Sequence, residues 1–124
     1  MVVDRLGFLN ILYLENHAVF AEQVTRQFLA THRVTVVPSV SAARSALASG
    51  AFDLVLSDYD LDDGKGEEFV RECRTACPRL PIIGVSSHEA GNAALLRAGA
   101  SAVCSKMEFD RIEQVIAGLG HEKV

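Results

Sequence analysis

The sequence predicts a doubly wound α/β domain, with five parallel strands in one sheet and helices on both faces. The first of two observations carries that expectation, and the second marks where its chemistry lies. Short apolar runs alternate five times with amphipathic segments along the 124 residues, with no repeat, linker or low-complexity tract between them. The third run then ends in "FDLVLSDYDLDDGKG" (52–66), where Asp58, Asp60, Asp62 and Asp63 fall within six positions. A single domain over 1–124 is expected, long enough to bury a core.

The first strand is "FLNILYL" (8–14), a nearly continuous apolar run of the kind covered on both faces. In "AVFAEQVTRQFLA" (18–30), Phe20, Val24 and Phe28 recur at i, i+4 and i+8, one face of a helix. "VTVV" (34–37) is the second strand. Ser41 reads as the N-cap of an Ala-rich helix that Gly50 ends. "DLVLS" (53–57) is the third strand, and a helix over about 66–77 should bury Phe69, Val70, Cys73 and Cys77 before Pro78 stops it. "PIIGVS" (81–86) is the fourth strand, followed by a weaker helix, "EAGNAALLRAG", closed by Gly99. "AVCS" (102–105) is the fifth, and "EFDRIEQVIAGL" then sets Phe109, Ile112, Val115, Ile116 and Leu119 on one stripe.

Composition excludes several function classes. Apolar residues make up 49% of the chain, too many for a disordered one. No apolar run reaches the length of a membrane span, and "MVVDRLGFLN" lacks the apolar core of a signal peptide. A net charge of −4 gives no support to nucleic-acid binding. Three cysteines without zinc spacing fit a reducing compartment. A cytoplasmic protein without membrane contact is therefore expected, with Cys73 and Cys77 as small apolar residues on one buried face.

In open α/β sheets, ligands bind outside the carboxyl ends of the strands. Glu15 and Asn16 should lie at that end of strand one, Asp58 of strand three, Ser86 of strand four and Lys106 of strand five. The acidic cluster is not a calcium loop. Counted from Asp58, position 6 is Asp63 instead of Gly, position 12 is Phe69 instead of Glu, and a strand rather than a helix leads in. "DYD" also matches the Asp-x-Asp core of haloacid-dehalogenase-like phosphatases, but those enzymes carry it on the first strand of a larger domain.

Taken together, "ILYLEN", "FDLVLSDYDLDDGKG", "LPIIGVSS" and "AGASAVCSK" resemble, in order and context, the CheY-like receiver domain of two-component response regulators. The resemblance covers essentially the whole chain and implies strand order 2-1-3-4-5. It also implies that Asp58 accepts a phosphoryl group from a histidine kinase or phosphotransfer protein, that Ser86 is the hydroxyl residue and that Lys106 is the lysine. A Mg²⁺ ion would be held by Glu15, Asn16, Asp58 and the backbone carbonyl of Asp60. A downstream protein would read the face of helix four, strand five and helix five. The chemistry suits these residue types: a carboxylate can form an acyl phosphate, a lysine and a hydroxyl can meet phosphoryl oxygens, and hard oxygens hold Mg²⁺. Asp62 and Asp63 are then solvated loop residues, and the domain is no conventional enzyme.

Several positions depart from the family pattern. Asn16 stands where a second acid is usual, which should weaken Mg²⁺ binding, although the longer Glu15 could compensate in part. Met107 replaces the usual proline, Val103 the usual aromatic, and the stretch from Ser86 to Lys106 is about two residues short. These departures keep a second reading open, a pseudo-receiver that binds proteins without being phosphorylated. His88 and Asp60 occupy the two variable positions that flank the phosphoryl group in this family. A transition-metal site from His17, His88 and Asp58 is chemically allowed, but solvent-facing histidines are the simpler account.

Overall fold

The computed structural model describes residues 8–120. Seven strands and five α-helices follow in order: β1 (Asn10–Leu14), α1 (Ala18–Phe28), β2 (Arg33–Val37), α2 (Val40–Ser49), β3 (Leu54–Ser57), β4 (Asp60–Leu61), β5 (Gly64–Lys65), α3 (Gly66–Ala76), β6 (Ile82–Gly84), α4 (Glu89–Ala98), β7 (Ala102–Val103), a 3₁₀ turn (Lys106–Arg111) and α5 (Ile112–Gly120). Five strands form one parallel sheet in the order β2-β1-β3-β6-β7, which is 2-1-3-4-5 when only these strands are counted. The short β4 and β5 make a separate antiparallel hairpin, closed by a Lys65–Asp60 ion pair. The reading of the first seven residues as no leader lies outside the described residues.

Strand side chains alternate between faces, which explains why the apolar runs are nearly continuous. Ile11 and Tyr13 face the layer of α1 and α5, packing with Leu54, Leu56, Val24, Phe109, Ile112 and Cys104. Leu12 and Leu14 face α2, α3 and α4, packing with Val55, Val40, Phe69, Val70, Cys73 and Leu95. Each layer thus contains one buried thiol. Burial pushes the Cys73 thiol up to about 12, and the Cys104 thiol also upward.

Four local expectations are corrected. Helix α2 begins at Val40, and its N-cap is Ser39, whose Oγ accepts from the Ala42 amide at 3.0 Å. Ser41 sits inside the helix because a second acceptor reaches the helix end from afar. The Asp63 carboxylate takes the Val40 amide at 2.7 Å and the Ser41 amide at 3.0 Å. Asp62 accepts from Asn16 Nδ2 at 3.2 Å, so both acids are exposed but anchored. Cys77 ends α3 and is only half-buried. Finally, Phe109 reaches the core from the 3₁₀ turn, where Glu108 is non-helical, and α5 itself starts at Ile112.

Hydrogen bonds to Val40 and Ser41 hold the Asp63 carboxyl below the usual carboxylate range. Stability from a depressed carboxylate is present above its ordinary pKa and lost as pH falls through the folded value. Asp63→Ala is therefore expected to lower the thermal midpoint by several degrees at pH 7 and to lose that difference in acid. Equal midpoints at pH 7, followed by circular dichroism, would remove Asp63 from the capping of α2.

The far end of the helical layer is tied by Arg74. Its guanidinium donates to the carbonyls of Gly99 (2.9 Å), Pro78 (2.8 Å) and Leu80 (2.9 Å). Gly99, which closes α4, has φ +124°, a region L side chains rarely adopt.

Candidate functional site

The carboxyl rim of the sheet gathers Glu15, Asp58, Ser86 and Lys106. Register places them: the Glu15 amide donates to Val37 O, the Asp58 amide to Leu14 O and the Lys106 amide to Ser86 O. Glu15, Asp58 and Ser86 are all buried, at 1%, 5% and 3% exposure, which for the two acids is unusual unless they are paired.

The pairing partner is Lys106. Its Nζ donates to Asp58 Oδ2 at 2.8 Å and lies 2.8 Å from Glu15 Oε1, the latter an ion-pair contact rather than an aligned hydrogen bond. Asp58 Oδ1 accepts from the Tyr59 amide at 2.7 Å. Glu15 Oε2 accepts from the His17 amide at 3.1 Å, and His17 Nδ1 lies 3.0 Å away. The Lys106–Met107 bond is trans.

One ammonium between two buried carboxylates leaves an excess negative charge, and the ionisation behaviour follows from it. Burial, together with the charge of Glu15, raises the pKa of Asp58 even though Lys106 and the Tyr59 amide pull it down. Burial opposes the charge on Lys106, but Asp58 and Glu15 outweigh it and the ammonium is held above its ordinary range.

Ser86 is fixed by a residue the sequence reading passed over. Asn92, buried within α4, accepts the Ser86 amide through Oδ1 at 3.0 Å and donates from Nδ2 to Ser86 O at 3.3 Å. A lone amide in "GNAALL" was the available signal. Ser86 Oγ accepts from the His88 amide at 3.1 Å. Gly66 is required by closeness: a Cβ there would lie 1.9 Å from Asp58 O and 2.7 Å from Ser57 Oγ.

Among the described residues, Glu15, His17 and Asp58 bring one ligand atom each to within 4.8 Å of one another. His88 lies outside this group and is exposed, as is His17. Asn16 Oδ1 is buried without a hydrogen-bond partner. Asp60, exposed in β4, holds Lys65 with its side chain. No helix among the described residues is long and apolar enough to cross a membrane.

A family model described as the response regulator receiver domain matches residues 11–117. The chain belongs to this family. Solved structures agree in fold. The response regulator TrrA from Thermotoga maritima, in complex with Mg²⁺-BeF, aligns with a TM-score of 0.80 at 20% identity, covering 89% of this chain and 97% of that one. A CheY-like receiver domain protein from Methanospirillum hungatei gives 0.75 at 17%, covering 92% and 98%. The Mn²⁺-bound form of Rcp1 gives 0.73 at 19%, covering 94% and 96%. No curated protein sequence matches this receiver.

Proposed function

We propose that this receiver accepts a phosphoryl group on Asp58 from the phosphohistidine of a histidine kinase or phosphotransfer protein. The contact of Lys106 with Asp58 Oδ2 is the observation that carries the reading. It places a positive charge beside the attacking oxygen, and phosphoryl transfer depends mainly on position and charge stabilisation. The carboxylate oxygen forms the new O–P bond as the donor's P–N bond breaks, and the released imidazole takes up a proton from solvent. Lys106 then faces phosphoryl oxygens instead of a bare carboxylate. Ser86, its backbone fixed by Asn92, keeps a hydroxyl free to rotate toward them. No turnover of free phosphate esters is expected of such a site.

The donor set fits a hard divalent cation. The carboxylates of Asp58 and Glu15, the unpartnered Asn16 Oδ1 and the Asp60 carbonyl are all oxygens. Such an ion supplies charge neutralisation at the phosphoryl oxygens. Asn16 contributes no charge and Lys106 already occupies both carboxylates, so weak Mg²⁺ affinity is expected. The downstream partner would read the face of α4, β7 and α5. That face holds a groove of about 560 Å³ lined by Ser86, Asn92, Leu96, Val103, Arg111 and Val115 among others. With no ring at Val103, the route outward from Ser86 runs through Asn92 into α4.

Intact mass after incubation with acetyl phosphate and Mg²⁺ tests the reading. A metal-dependent phosphoryl adduct is expected, absent in Asp58→Ala. No adduct at high Mg²⁺ would instead favour the phosphorylation-independent interaction module.

A further inference from the structure

We infer that Phe20 is a positioning residue for Lys106, an inference that rests on the phosphoryl-acceptor reading of the rim. Lys106 ends in a flexible stem, and the trans bond to Met107 leaves its backbone in a 3₁₀ turn interrupted at Glu108. An ammonium on such a stem needs walls to hold one direction. Two of them are carboxylates, Asp58 and Glu15. The third is the face of the Phe20 ring, whose centroid lies 5.1 Å from Nζ. The negative face of an aromatic ring attracts a cation, and more strongly where water is excluded. The Lys106 side chain is only 12% exposed, so this contact is largely dry.

The ring itself is held in place. Phe20 and Phe109 meet edge to face, with centroids 6.1 Å apart and planes at 85°, and Phe109 also packs against Tyr13 and Phe28. Lys106 and Phe109 belong to the same turn, and one ring on α1 contacts both. The first turn of α1 is thereby coupled to the direction of the ammonium. Glu15 adds a second link, since its Oε2 accepts from the amide of His17, the N-cap of α1, while Asp58 comes from a strand end and provides none.

The chain has three lysines, so resonances from protein labelled at lysine Cε can be resolved and Lys106 assigned by its loss in Lys106→Met. The ring current should shift the Lys106 methylene upfield. Phe20→Leu, which keeps an apolar side chain, is expected to move that resonance back. It should also slow adduct formation from acetyl phosphate by about tenfold. Phe20→Tyr retains the ring and should preserve both the shift and the rate. In a Lys106→Met background, Phe20→Leu should slow the reaction no further. An unshifted Lys106 in the wild type overturns the inference. So does an equal slowing by Phe20→Leu with and without the lysine, since that would mark a purely structural role. If the wild type takes no phosphoryl group, the acceptor reading fails by itself, and the lysine resonance still decides whether Phe20 holds Lys106.

Discussion

Gly66→Ala is expected to destabilise the domain by about 3 kcal/mol or more, the upper range for overpacking where nothing can yield. The added Cβ would sit 1.9 Å from the Asp58 carbonyl, well inside contact distance. Backbone, unlike the end of a flexible side chain, can relieve the clash only by moving Asp58 or withdrawing α3. The Gly66 amide also donates to Tyr59 O at 2.6 Å, so the same shift would break a hydrogen bond closing the loop. Urea denaturation measures the loss. Where the variant still folds, its adduct yield should fall because Asp58 has been displaced from Lys106. A wild-type midpoint would show that the close approach is not fixed.

Lys106→Met carries the second large effect. It keeps the length of the side chain but leaves the carboxylates of Glu15 and Asp58 buried together without their cation. Removing one partner of a buried ion pair costs about 3 kcal/mol or more at neutral pH. The pH dependence has a definite sign. The Asp58 carboxyl is already held above its ordinary range, and without Lys106 it should rise further, because the lysine is the stronger of the two groups that pull it down. A carboxyl raised in the folded state binds its proton more readily there than in the unfolded chain. Folding is therefore penalised as pH climbs and relieved as pH falls. The stability gap between variant and wild type should shrink from pH 8 to pH 5. In the wild type, the raised Lys106 contributes stability that is complete below the ordinary lysine pKa and is lost as pH rises through its higher folded value. A gap that is equal at pH 5 and pH 8 would mean that Lys106 does not neutralise this site.

The fold was legible because strands buried on both faces are written as short continuous apolar runs, and the helices between them show their stripes. The convergence of Glu15, Asp58, Ser86 and Lys106 was legible for a topological reason, since parallel strands deliver all their carboxyl ends to one rim. Contacts decided by long-range geometry were not legible. Asp63 caps a helix 23 residues earlier in the chain, which displaced the expected start of α2 from Ser41 and turned a supposed solvent acid into a structural one. Asn92 looked like one polar residue in a weak helix until α4 was seen to pack its amide against Ser86. Phe20 fitted a helical stripe, and nothing in that stripe distinguished a ring in the core from a ring under an ammonium. The contacts of the two Glu15 oxygens with Lys106 and His17 likewise depend on the folded geometry of the rim.

The cysteines supply a clock for the two halves of the interior. Cys104 lies in the layer under α1 and α5 and Cys73 in the layer under α2 to α4, while Cys77 is half-exposed at the end of α3. Only a thiolate reacts quickly with a disulfide reagent, and burial keeps both interior thiols protonated at neutral pH. Cys77 should therefore react first, and each of the other two only when its own layer opens. Matching rates for Cys73 and Cys104 would mean that the sheet releases both layers in one cooperative event. A faster Cys104 would mean that α1 and α5, with the turn carrying Lys106 between them, breathe independently of the rest.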